Sequence, residues 1–228
     1  MITLKHDYKQ LKRTNIDGKR HYIIEGQKMD PVPSVTNILS ATTPPEDKAG
    51  LDKWRKKVGY RYANQVCNEA AQRGTRVHNY LEKYIKTSEF PTPGSNPYAQ
   101  LANGMAKQIL DNGLKNMTEY WGTEVQLLFP RLFAGTTDLA GVHDGDEAIV
   151  DFKQSNKMKK REYIDSYFIQ CCFYANAHNE MYNTNINKGV IMMVTPDWEY
   201  QEFILEGNEF KKYEQIMWKR LEQYYMMF

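Results

Sequence analysis

Asp138, Asp151 and Lys153 stand within the stretch AGTTDLAGVHDGDEAIVDFKQS, and their types and spacing suit chemistry on a phosphate ester. Asp151 and Lys153 are two residues apart, so in a strand both side chains leave the same face. Between the two aspartates lies His143-Asp144-Gly145-Asp146, whose Asp-Gly pair is a strong hairpin signal. A hairpin there brings Asp138 alongside the other two, and two carboxylates and an ammonium group converge. A sheet core would not select that set, because buried charges are costly unless paired or bound to metal. Phosphodiester hydrolysis does want it. Carboxylates hold Mg²⁺, the ion polarises the phosphate and acidifies a water, and a lysine offsets charge in the transition state.

Taken alone, Asp-x-Lys is a weak motif, since average composition produces it about once in every few hundred positions. Asp and Lys at a strand end are usually a solvated surface. Here, however, the apolar strand IVDFK runs straight into the charges, and Gly135 and Gly141 on either side of Asp138 let backbone or ligand approach closely.

The elements that must position these residues follow from pattern. RHYII (20–24) reads as a short strand, and Pro31 and Pro33 extend the chain ahead of a short helix through Leu39, capped by Ser34 or Thr36. ATTPPEDKAG (41–50) reads as a loop. Leu51 to Lys86 reads as helix with a break near Arg73-Gly74-Thr75, where Thr75 caps a second helix carrying His78. A Pro- and Gly-rich loop leads to a helix from Tyr98 to about Asn112. Strands are predicted over Thr123–Phe129, Phe133–Val142 and Ala148–Lys153, then a long helix from Met158 to about Tyr182. Strands at Lys188–Val194 and Glu199–Leu205 and an amphipathic helix over Asn208–Met226 complete an α+β domain.

With these elements in place, four motifs in order resemble the RecB-type branch of the PD-(D/E)xK nuclease superfamily. They are Arg73-Gly74-Thr75-Arg76-Val77-His78, the G-x-x-D ending in Asp138, the strand ending Asp151-Phe152-Lys153, and the helix bearing Gln170 and Tyr174 one turn apart. PSVTNIL, followed by Trp54 and Gly59, resembles the mitochondrial genome maintenance exonucleases and their phage relatives. The resemblance spans roughly residues 20 to 195. It departs from the superfamily name in having Asp151 rather than Glu before x-Lys, and Thr137 rather than Pro before the first Asp.

The resemblance implies an α/β/α restriction-endonuclease-like core with a central mixed sheet flanked by helices. It implies one nuclease domain over 1–228, with a helical arch or clamp over about 31–118 and a catalytic core over about 119–228. It implies Mg²⁺ or Mn²⁺ held by His78, Asp138, Asp151 and the Phe152 carbonyl, with Glu124 a second-tier carboxylate. A His ligand makes Mn²⁺ an effective substitute. Lys153 would orient the water and stabilise the transition state, while Gln170 and Tyr174 position the site. Ser34, Thr36 and Arg73 are assigned to the DNA as well.

Two basic–aromatic clusters suit a single strand, where cations track phosphates and rings stack on unpaired bases. One comprises Lys53, Trp54, Arg55, Lys57, Tyr60 and Arg61; the other, next to Asp-x-Lys, holds Lys157, Lys160 and Arg161. The bland alternative for each is a solvated helix face. A net charge of +2 neither demands nor excludes DNA, because site carboxylates offset basic residues elsewhere.

No apolar run is long enough to span a membrane, and the first residues lack a signal-peptide core. Three cysteines without a CxxC pair argue against disulfides and exclude an Fe–S cluster held by four cysteines of one chain; all three are expected reduced and at least half-buried. The expected setting is a reducing interior, the cytoplasm of a bacterium or phage-infected host, and the expected state a monomer. The activity expected is that of an exonuclease on single-stranded DNA with a free end. An endonuclease or flap-type nuclease would differ by cutting a closed circular strand, and a non-catalytic single-stranded DNA-binding module by cutting nothing.

Overall fold

The structure, a computed structural model, describes residues 2–3, 5–23 and 30–227. Strands β1 (Lys12–Ile16) and β2 (Lys19–Ile23) form a hairpin on Asp17 and Gly18, both at positive φ as a type I′ turn requires. The strand expected at 20–24 is β2, with Ile24 outside the described residues; β1 was not anticipated. β3 (Val32–Pro33) pairs with β2, and Ser34 caps α1 (Val35–Ala41), its Oγ accepting the Asn37 N–H at 3.2 Å.

Two helical boundaries differ from expectation. Residues 45–50 are helix rather than loop, because Pro45 starts α2 (Pro45–Val58) with Glu46 and Asp47 at its positive end. The break expected at Arg73–Thr75 falls instead at Gly59, whose φ of 87° ends α2 before α3 (Tyr60–Thr87). Gly74 stays helical, and Thr75 caps nothing: its Oγ1 donates to the Ala71 carbonyl one turn back. Asn96 then caps α4 (Pro97–Asn112).

The central sheet follows a short 3₁₀ turn. β4 (Met117–Phe129) begins earlier than the predicted Thr123, and β5 (Phe133–His143) joins β6 (Asp146–Gln154) through the expected Asp144-Gly145 turn. The helix predicted from Met158 begins only at Asp165, as α5 (Asp165–Tyr182). The Gln201 side-chain amide takes both the N–H and the carbonyl of Lys159, holding that segment against the sheet edge instead of in a helix. β7 (Gly189–Val194), β8 (Tyr200–Leu205) and α6 (Gly207–Tyr225) complete the chain.

The five strands lie in the order β4-β5-β6-β7-β8. Only β6–β7 is parallel, and α5 is the crossover that a parallel pair needs. One buried cluster packs α1, α5 and α6 on one face, and a second packs α3 and α4 on the other. The result is the expected α+β architecture with a mixed central sheet between helices. Cys171 and Cys172 are buried, whereas Cys67 is exposed on α3, contrary to expectation; all three are free. No described helix is long and apolar enough to cross a membrane.

The unbroken α3 has a measurable consequence. A Cβ at Gly74 would meet only Gln154 Cγ, at an ordinary 3.5 Å. Gly74→Ala should therefore raise stability by about 0.5–1 kcal/mol in urea unfolding. A loss of stability would mean that the helix breaks there after all.

Candidate active site

β5 and β6 pair from their hairpin as far as Leu139–Val150 and no further, after which β5 runs on beside β4 and β6 beside β7. Backbone groups released from a ladder need other partners. Asp138 supplies one, its Oδ2 accepting the Phe152 N–H at 2.7 Å. On its other side the ladder skips a step, pairing Thr123 with Leu139 and then Val125 with Thr137. Glu124, between them, has a φ of 52°, a left-handed conformation that costs a non-glycine residue about 1–3 kcal/mol. The Thr123 hydroxyl donates to the Asp138 carbonyl at 2.8 Å. Asp138 thus sits where the sheet is open on both sides.

Asp151 and Lys153 leave the same face of β6, towards α5. The Lys153 ammonium makes a close ion pair with Asp151 Oδ2 and lies 5.0 Å from the centre of the Tyr167 ring. Asp151 is buried, and its Oδ2 receives no well-directed hydrogen bond. From α3, on the opposite side of the sheet, His78 Nδ1 comes within 3.1 Å of Asp138 Oδ1. A clamp fixes that helix: Arg73 donates twice to Gln154 Oε1, at 2.9 and 2.7 Å, and Gln154 Nε2 donates to the Ala70 carbonyl. From α5, Gln170 donates to the Tyr174 hydroxyl at 3.1 Å, and the Tyr174 ring lies so close to Gly135 that a Cβ there would be 2.6 Å from it.

A pocket of about 170 Å³ gathers His78, Asp138, Asp151, Lys153, Gln170 and Tyr174, with Ser34 and Thr36 also lining it. It brings in three polar residues that the motifs did not single out, Arg20 and Tyr22 from β2 and Thr136 from β5. Thr136 is one of the unspecified positions of G-x-x-D, and Arg20 and Tyr22 belong to no recognisable spacing; the β2–β3 pairing delivers them. Tyr167, under Lys153, was likewise missed, although it stands one turn before Gln170 on the same helix.

Charges in the pocket shift one another. Burial pushes the Asp151 carboxyl up to about 6, opposed by Lys153 and reinforced by Asp138. Burial acts on Asp138 in the same direction, but His78, Lys153 and the Phe152 N–H together hold it below the ordinary carboxylate range. Lys153 is raised because its two carboxylates outweigh its own desolvation, and Asp138 raises His78 against burial. Burial and then Asp138 raise Glu124.

Ligand atoms of His78, Glu124 and Asp138 all lie within 4.8 Å of one another. Ligands about 2.1 Å from a common ion lie no more than about 4.2 Å apart, so small side-chain movements close the set around a divalent cation. Imidazole with carboxylates suits Mn²⁺ as well as Mg²⁺. Glu124 stands with His78 and Asp138, while Asp151, expected beside them as a ligand, is paired with Lys153.

The residues assigned to DNA divide. Lys53, Trp54, Arg55, Lys57, Tyr60 and Arg61 stand on α2 and the first turn of α3, and none lines the pocket. Lys157 and Lys160 are exposed, but ahead of α5 rather than on it. Arg161 is engaged within the fold, donating to Glu209 and to the Ile204 carbonyl, and Arg73 is held in its clamp.

Two outcomes follow for metal binding. Glu124→Gln should weaken Mn²⁺ affinity tenfold or more in calorimetric titration, with the far-ultraviolet dichroism unchanged. In the unaltered protein Mn²⁺ affinity should fall as the pH drops below about 6, because protons then compete for Asp151, and His78 titrates in the same sense. An affinity constant between pH 5 and 8 would exclude these ligands.

No protein-family model matches the chain, and no curated protein matches it. Among solved structures it is similar to a protein from Eubacterium rectale provisionally named as an exonuclease, with 14% identity and a TM-score of 0.48 over 68% of this chain and 64% of that one. It is also similar to SSO0001, with 16% identity and a TM-score of 0.36 over 68% of this chain and 87% of that one. The chain spans just under two thirds of the length of the first. Likeness at this level speaks to neither activity nor substrate.

Proposed function

We propose that this chain is a metal-dependent nuclease of the PD-(D/E)xK superfamily, RecB-type branch, acting as an exonuclease on single-stranded DNA with a free end. Its setting would be phage or cellular DNA replication, recombination or repair. The observation that carries the reading is the single pocket holding Asp138, Asp151 and Lys153, with His78 and Glu124 beside the first aspartate. Bound Mg²⁺ or Mn²⁺ would polarise the scissile phosphate and lower the pKa of a water.

The chain's own groups have separate tasks. His78, Glu124, Asp138, Asp151 and the Phe152 carbonyl would hold the ion. Lys153, clasped between Asp151 and the Tyr167 ring, keeps a full positive charge and would neutralise the charge that builds on the phosphate oxygens. Gln170 orients the Tyr174 hydroxyl, which burial keeps protonated and so able to donate to the substrate. Arg20, which also lines the pocket, offers a further cation to the backbone.

Single-stranded DNA is favoured by α2, which buries no residue and presents Lys53, Lys57, Tyr60 and Arg61 to solvent at its C-terminal end and just beyond. Cations interleaved with rings suit an unpaired strand. Lys53→Ala and Arg61→Ala should each weaken binding of single strands and reduce the salt dependence of log Kd by roughly 0.7 to 1. Unchanged salt slopes would place the strand elsewhere.

Substitution at the centre tests the reaction itself. Asp151→Asn and Lys153→Ala should each lower cleavage of an end-labelled strand by roughly 10²- to 10³-fold or more, while affinity for the strand changes little. Cleavage at the normal rate by either variant would sink the assignment.

A further inference from the structure

A second cleft, of about 710 Å³, opens beside the catalytic pocket and shares Thr36 and Gln170 with it. Its walls are α1 with the start of α2 on one side and the N-terminal half of α5 on the other, and α6 forms its floor. The volume falls within the range of small-molecule sites, roughly 300–1,000 Å³. We propose that this cleft receives an unpaired nucleobase of the strand next to the scissile phosphate, favouring bases that carry an exocyclic amino group. The proposal rests on the nuclease reading above and names the part of the substrate that reading leaves undefined.

The chemistry of the walls selects a base over backbone. Among the described residues Arg220 is the only cation lining the cleft, and it is occupied: its Nε donates to Thr42 Oγ1 at 2.6 Å and its Nη2 to the Leu39 carbonyl at 2.8 Å. Asp47, Glu162 and Asp165 line the same space, so a phosphate would meet carboxylates. A neutral, flat, partly apolar group would not. Tyr163 is 68% exposed at the cleft and offers a ring face, and Ile169 and Ile216 supply apolar wall. The carboxylates accept from amino groups, which cytosine, adenine and guanine carry and thymine lacks. Asp165 is already fixed by the Tyr213 hydroxyl at 2.6 Å and Glu162 lies 4.0 Å from the Lys160 ammonium, which leaves Asp47 as the freer acceptor.

The geometry also assigns a consequence. Because Thr36 and Gln170 line both spaces, a base next to a phosphate held against Asp138 and Lys153 would turn past those two side chains to enter the cleft. A base held in a duplex cannot do so without unpairing, so the cleft adds a preference for single strands independent of α2.

The test uses fluorescein-labelled oligonucleotides bound in Ca²⁺, with one abasic residue moved stepwise along the strand and affinity read by anisotropy. At one position the missing base should weaken binding about tenfold, the scale of one base–aromatic stack. At that position dC should bind more tightly than dT. Tyr163→Ala and Ser40→Trp, the second of which fills the cleft from α1, should abolish both differences while leaving penalties elsewhere unchanged. Equal abasic profiles in the unaltered protein and both variants would overturn the inference, even if the protein cleaves DNA. A position-specific penalty that both variants erase would support it even in a protein that proves unable to cleave.

Discussion

Where β5 and β6 stop pairing, the carboxylate of Asp138 takes the Phe152 N–H that it could not reach across an intact ladder. That parting gives the site its room. If the strands remained paired beyond Leu139–Val150, Asp138 and Asp151 would stand in register with backbone hydrogen bonds between them and no space for an ion or a phosphate. The opening leaves two carboxylates in one pocket, a placement that burial and mutual repulsion both oppose.

The surrounding structure offsets that cost from both sides of the sheet. Lys153 closes on Asp151 from two residues further along the same strand, and His78 closes on Asp138 from α3. Neither partner is left to find its own position. Tyr167 backs Lys153, and the Arg73–Gln154 clamp ties α3 to the end of the very strand that carries Asp151 and Lys153. Glu124 belongs to the same arrangement, held at a positive φ that an ordinary strand residue would avoid. Strain of this kind persists only where neighbours over-determine it, as the Thr123 hydroxyl on the Asp138 carbonyl does.

Much of this was legible in the sequence because it rests on short spacings. The two-residue interval of Asp151 and Lys153, the Asp144-Gly145 turn, and the one-turn interval of Gln170 and Tyr174 are local facts, and local geometry carries them directly into the fold. What remained hidden depends on contacts far apart in the chain. Arg20 enters the pocket only because β2 pairs with β3, and the strand before it, Lys12–Ile16, has too little apolar alternation to announce itself. Gly74 looked like a helix breaker, yet no demand for positive φ falls on it; Gly59 meets that demand instead. The delayed start of α5 follows from Gln201, more than forty residues away, bonding Lys159 on both sides. The free appearance of Arg73 and Arg161 among the basic residues was likewise a matter of partners invisible in the sequence.

Whether this pocket hydrolyses phosphodiester bonds with a divalent ion decides the function proposed for it. The most direct measurement is digestion of end-labelled linear and closed circular single-stranded DNA with Mg²⁺, Mn²⁺ or EDTA. A metal-dependent exonuclease should degrade the linear strand with either ion, leave it intact in EDTA, and spare the circle. Cutting of the circle would keep the chemistry and remove the requirement for an end. Survival of both substrates with both ions would show that the pocket is not a nuclease centre.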